Sequence, residues 1–171
     1  MSRYPLQTLP VAVLVCFISV FVGAEKKHEA PSSWSARVVG VTDGDSVTVL
    51  RDRHEQVKIR LYGIDAPERG QPFGTKSRQH LAGLVFGKEV RIIPRDTDRY
   101  GRTVGQIEVA GRDVSTDMIR AGLAWWLDRY APKDDALRSA ERSAREAKVG
   151  LWSDPAPVAP WEWRKAARAV E

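Results

Sequence analysis

Ser46–Leu50 reads SVTVL, and Gln56–Tyr62 reads QVKIRLY. In the second stretch Val57, Ile59 and Leu61 alternate with Lys58, Arg60 and Tyr62. A period of two is that of a strand with one face in a core. It sends the apolar set inward and leaves Arg60 on the other face. SVTVL is a β-branched run, which suits a strand. Asp52–Glu55 between the two is short and polar, so they form a hairpin. An antiparallel hairpin brings its outer ends together, and those ends carry Asp45 and Asp65.

Working outward, Val38, Val39 and Val41 open a β-rich stretch ahead of the hairpin. Behind it, over Phe73–Phe86, the period changes. Phe73, Ser77, His80, Leu81, Leu84 and Val85 fall on one helical face, and Gly87 ends the helix. Lys88–Ile93 and Thr103–Val109 return to strand character, separated by a turn-like Asp96–Gly101. A short helix follows, capped by Asp113 or Ser115 and stopped by Gly122. Pro132–Val149 is amphipathic, with Leu137, Ala140, Ala144 and Ala147 as its apolar stripe and Glu141 and Arg145 as an i,i+4 pair. Five short strands, one interrupting helix and two later ones predict an α+β chain dominated by β. The expected architecture is a small closed barrel with three α-helices, whose rim loops carry function.

The ends read differently. Arg3 is followed by an apolar run, Leu9–Val22 (LPVAVLVCFISVFV), then by Gly23-Ala24 and Glu25-Lys26-Lys27. A positive residue, an apolar stretch and a small-residue exit are the parts of a secretory signal. Residues 1–24 are therefore expected to be a signal peptide, cleaved after Val22-Gly23-Ala24, and the protein to be exported, secreted or periplasmic. The alternative is an uncleaved membrane anchor over residues 9–22, although that run is short for a span of about 20 residues. Residues 25–33 read as a polar linker, 34–153 as the domain, and 154–171 as a Pro- and Trp-rich tail. The single cysteine, Cys16, excludes an intramolecular disulfide and a thiolate metal cluster. With 171 residues the chain can bury a core without such help. Its net charge of +5 is compatible with a phosphate-rich partner, since Lys and Arg release counterions from nucleic acid.

The chemistry gathers around the hairpin ends. Asp45 and Asp65 offer oxygen with no His or Cys nearby, a donor set that suits a hard cation. Singly, each also reads as a turn aspartate. Glu68 follows Pro67 beside Asp65 and can accept a proton from water there. Arg60 and Arg102 can grip a phosphate bidentately and stabilise charge building on it. Each alone also reads as surface charge. Trp125 and Trp126 either stack on bases or pack in the core.

VVGVTDGDSVTVL (38–50), KIRLYGIDAPE (58–68), DRYGR (98–102) and MIRAGLAWW (118–126), in this order, resemble the staphylococcal nuclease family. The resemblance covers about Val38–Trp152. It implies an OB-fold and a Ca²⁺ site formed by Asp45, Asp65 and the main-chain carbonyl of Ala66. It places Glu68 as general base or water-orienting carboxylate, and Arg60 and Arg102 as the phosphate-binding arginines. Arg99 and Tyr100 fall near the terminal phosphate of the substrate, Tyr130 at a base-contacting position, and Asp43 beside the metal ligands. The implied substrates are DNA and RNA, cleaved to 3′-phosphate and 5′-hydroxyl ends. No protein partner is implied, membrane contact arises only through an uncleaved signal segment, and the expected state is a monomer. Three features depart from the family pattern: Ala66 replaces a threonine, Arg69–Gly74 is a shortened loop, and Asp128 replaces a tyrosine. Two rival readings are a non-catalytic nucleic-acid-binding OB module and an envelope-tethered protein that binds through PWEWRK (160–165). Retention of Asp45, Asp65, Glu68 and both arginines argues against the first.

Overall fold

The computed structural model describes residues 32–169. The expected signal segment, Cys16 and most of the expected linker lie outside them. The strands are β1 (Trp34–Val41), β2 (Ser46–Arg51), β3 (Glu55–Leu61), β4 (Ile64–Asp65), β5 (Glu89–Thr97), β6 (Thr103–Val109), β7 (Arg112–Asp113) and β8 (Trp125–Trp126). The helices are α1 (Gly74–Val85), α2 (Val114–Arg120), α3 (Asp135–Glu146) and α4 (Pro160–Arg168), with a 3₁₀ turn at Gly150–Ser153.

The five long strands run in the order β3-β2-β1-β5-β6, and a parallel β3–β6 pairing closes the sheet on itself. This is the expected five-stranded OB barrel. Closure removes the exposed edges that an open sheet would offer. The alternation read from the sequence holds, since Ile59 and Leu61 are buried inside while Arg60 faces out to the rim. Val38, Val47, Val49, Ile92 and Ile107 complete the barrel core, and Leu81 and Val85 of α1 pack against it. Each fully buried Ile or Leu contributes about 1.5–3 kcal/mol, so this interior supplies most of the driving force.

Three expectations need correction. First, β5 does not end at Ile93 but runs on to Thr97. Pro94 lacks an N–H, yet it sits where the β5–β6 register shifts, and a bulge tolerates that loss. Second, Asp113, not Ser115, caps α2, accepting from the Thr116 amide at 2.8 Å. Third, there are four α-helices among the described residues rather than the three expected. The additional one, α4, lies in the tail and has proline at its first position, where no amide bond is lost.

Ala144, Leu151 and Trp152 form a second small apolar cluster, with Trp125 against it. Trp125 meets Trp152 edge-on at 4.4 Å and Trp161 of α4 at 5.6 Å. Trp126 donates its indole N–H to the Ala131 carbonyl and joins the main core. Both tryptophans therefore pack rather than standing free to stack on bases.

Candidate active site

The β2–β3 register sets Ser46 opposite Arg60, which brings Arg60 next to Asp45 at the rim. The Leu61 amide donates to the Asp45 carbonyl at 2.8 Å and pins the two strand ends together. Asp65 is fixed from the other side, because β4 pairs with β8 and sets Asp65 opposite Trp125. Gly44 lets this end of the barrel close. A Cβ there would lie 1.8 Å from Ser77 Oγ and 2.7 Å from the Ala66 methyl.

Arg60 spans the two aspartates. Its Nη2 donates to Asp65 Oδ1 at 3.0 Å, and its Nη1 lies 2.6 Å from Asp45 Oδ2. The second contact is a close ion pair, so Arg60 offsets the two aspartates through separate nitrogens. Asp45 also accepts from the Ala66 amide and the Ser46 hydroxyl. Ser46 Oγ in turn accepts from Arg102 Nη1 at 3.3 Å, which links the second arginine to the cluster. Arg102 is itself held by Asp98, its Nε 2.7 Å from Oδ2.

Glu68 is positioned by its backbone. Its amide donates to Gln71 Oε1 at 3.1 Å, and Gly74 approaches its carbonyl so closely that a Cβ would stand 1.8 Å away. Its side chain meets Arg164 of α4, whose Nη1 donates to Glu68 Oε1 at 2.6 Å. The same guanidinium donates through Nη2 to Asp65 Oδ2 at 2.7 Å. A continuous chain of contacts thus runs from Arg102 through Ser46, Asp45, Arg60, Asp65 and Arg164 to Glu68.

Among the described residues Asp45, Asp65 and Glu68 pair directly with Arg60 and Arg164, Asp43 has no ion pair, and Arg102 reaches the cluster through Ser46. Burial, reinforced by the charge on Asp45, raises the Asp43 carboxyl to about 6. Burial also opposes ionisation of Asp45. Arg60, the Ala66 amide and the Ser46 hydroxyl more than offset it and hold Asp45 below the usual carboxylate range. Asp65 is pushed up by burial and by Asp45, against the pull of Arg164 and Arg60. Arg164 stays firmly protonated, since Asp65 and Glu68 outweigh its partial burial.

Among the described residues no group of three or more His, Cys, Asp or Glu is gathered as a ready metal site. The donors that do converge, Asp45 and Asp65, are both oxygen and lie in excess negative charge. That chemistry fits a hard divalent cation. At Ala66 the amide, not the carbonyl, is the group in contact with Asp45.

Asp45, Asp65, Arg60, Glu68 and Arg102 are therefore brought together. Arg99 and Tyr100 stand exposed on the adjoining turn, where the Tyr100 ring lies 5.8 Å from the Arg102 guanidinium carbon. Tyr130 is exposed beyond β8, beside Tyr62, with no recorded contact to the acidic cluster among the described residues. Ser46, Gln71 and Arg164 escaped the sequence reading. A signal existed for the helix but not for the contact: Pro160 opens a run in which Trp161, Arg164 and Arg168 share one helical face.

A closed five-stranded barrel whose rim sets paired carboxylates and a third acid beside two phosphate-competent arginines defines a phosphodiester hydrolase. The family profile described as staphylococcal nuclease homologue matches residues 58–154. A micrococcal nuclease of Shigella flexneri is 36% identical over 167 residues, 92% of this chain and 91% of that protein. An uncharacterized endonuclease of Escherichia coli O157:H7 is 45% identical over 129 residues, 75% of this chain and 83% of its own. Protein ParB of Escherichia coli is 42% identical over 149 residues, 80% and 84% of the two chains. The chain belongs to the staphylococcal nuclease family.

Proposed function

We propose that the protein is an exported, Ca²⁺-dependent nuclease that cleaves DNA and RNA to 3′-phosphate and 5′-hydroxyl ends. The observation that carries this reading is the bridge of Arg60 between Asp45 and Asp65, with Glu68 alongside. Asp45 and Asp65, with the Ala66 carbonyl, would hold the cation. Bound there, Ca²⁺ supplies a Lewis acid that neutralises the scissile phosphate.

The chain's own residues supply the remainder. Arg60 and Arg102 each present a guanidinium to the non-bridging oxygens, where charge grows as the attacking water adds. Glu68 orients that water and takes its proton. Phosphorus gains the water oxygen and the bond to the 5′-oxygen breaks; that oxygen takes a proton from solvent water and leaves as a hydroxyl. Arg99 and Tyr100 extend the phosphate contacts along the strand, and Tyr130 offers an exposed ring to a base. The basic balance of the chain supports attraction to a polyanion. The apolar run 9–22 supports export.

Digestion of single-stranded DNA and of RNA by the purified protein, in CaCl₂ or excess EGTA and beside Glu68→Gln, tests the reading. Cleavage should require Ca²⁺ and collapse in the variant. A folded protein that binds DNA but cleaves nothing under either condition would replace this reading with that of a binding module.

A further inference from the structure

Arg164 makes its contacts with two of the groups that the proposed reaction needs free. Asp65 is a cation donor and Glu68 the proton acceptor, and one guanidinium takes both at 2.7 and 2.6 Å. We propose that α4 is a tethered competitor for the divalent-cation site: Arg164 occupies Asp65 and Glu68, and must leave before a cation and a substrate phosphate can be held there. The proposal rests on the calcium reading above and adds a regulatory element to it.

The geometry of the tail favours a hinged strap over a fixed wall. Its near end is anchored. Ala159 and Pro160 are buried, Trp161 stacks edge-on against Trp125, and Gln71 Nε2 donates to the Val158 carbonyl at 2.6 Å. Gln71 also receives the Glu68 amide, so one side chain couples the strap to the acid it covers. Beyond that anchor α4 faces solvent: Lys165 and Arg168 are exposed, and the Arg164 side chain is 37% exposed. The Arg164 contacts can therefore open without disturbing the barrel core.

Occupancy of Asp65 makes the two states exclusive. Arg60 holds Oδ1 alone, whereas Arg164 takes Oδ2 at 2.7 Å and also reaches Oδ1 at 3.3 Å, so Oδ2 opens to a cation only when Arg164 leaves. A ligand on a short tether acts at an effective concentration on the order of millimolar, so the cation must compete against it. Without Arg164, Glu68 loses its ion pair and Asp65 keeps Arg60 as its one ion-pair partner among the described residues. The strap thus also stabilises the metal-free protein.

Calorimetric titration of the purified protein with CaCl₂, without nucleic acid, tests this together with hydrogen exchange of residues 160–168. Arg164→Ala should bind Ca²⁺ about tenfold more tightly than the wild type, a common size of coupling between linked sites. Trp161→Ala leaves every carboxylate in place and should tighten binding by a smaller factor, by loosening the strap. In the wild type, CaCl₂ should speed exchange in 160–168 while barrel amides stay protected. Unchanged or weaker binding by folded Arg164→Ala overturns the proposal and leaves the calcium reading standing. Tighter binding with no Ca²⁺-driven change in 160–168 also overturns it, since that is the effect of local charge alone. Absence of Ca²⁺ binding in all variants overturns both readings together.

Discussion

Arg60 Nη2 donates to Asp65 Oδ1 at 3.0 Å across the turn that joins β3 to β4. The same guanidinium serves Asp45, for which it is the one ion-pair partner among the described residues, whereas Asp65 also keeps Arg164. Removing one partner of a buried pair leaves uncompensated charge, at a cost of about 3–5 kcal/mol. Arg60→Ala should therefore lose both stability and rate. A urea melt should show a loss of about 3 kcal/mol in metal-free buffer, and kcat should fall by about 10²-fold or more. A variant as stable as the wild type would show that the aspartates are neutral in the folded state.

Arg102 differs, because its partner Asp98 sits on the exposed turn and the pair is partly solvated. Such pairs contribute about 0–1 kcal/mol. Arg102→Ala should melt within about 1 kcal/mol of the wild type, yet lose about 10²–10³ in kcat, the usual effect of deleting one transition-state donor. Full activity in the folded variant would remove Arg102 from the reaction.

The barrel was legible because its signal is local. Val57, Ile59 and Leu61 state a period that only a half-buried strand satisfies, and the hairpin they form sets Arg60 by Asp45. Arg164 was not legible, because it meets Asp65 across 99 positions and a tail arginine looks like any solvated charge. Nor could the tryptophans be sorted. Trp125 and Trp126 are adjacent in sequence, but they pack into different clusters because successive residues of β8 point to opposite sides. The end of β5 was not legible either: strand character reads as far as Ile93, but the strand runs through Pro94 to Thr97 because the register shift there tolerates the missing donor.

Gly44 is held by space rather than by an unusual backbone angle. A methyl group there would strike Ser77, which is buried and donates to the Leu123 carbonyl at 2.7 Å. Overpacking of this kind costs about 1–3 kcal/mol. It also displaces the turn that carries Asp43 and Asp45. Gly44→Ala should lower stability by about 2 kcal/mol and reduce activity further than that loss alone explains. Adding Ser77→Gly, which clears the nearest atoms, should restore part of the stability in the same melt. Failure of that rescue would place the strain at Ala66, whose methyl is the other close atom.

Asp43 gives the fold a pH dependence of definite sign. Its carboxyl is raised to about 6 by burial and then by the neighbouring charge on Asp45. The folded state thus keeps a proton that the unfolded chain releases near pH 4, so metal-free stability attributable to Asp43 falls as pH rises from about 4 to about 6. At about 1.4 kcal/mol per unit, a shift of this size corresponds to roughly 2–3 kcal/mol, fully expressed above pH 6. Asp43→Asn keeps an oxygen for the Asp45 amide, which donates to Asp43 at 3.1 Å, and removes the charge. In EDTA the variant should be more stable than the wild type at pH 7 by about 1–2 kcal/mol and match it near pH 4.5. Urea melts of both proteins across that range check the difference directly. Two parallel stability profiles would mean that Asp43 ionises normally and that Arg60 and Arg164 already balance the cluster.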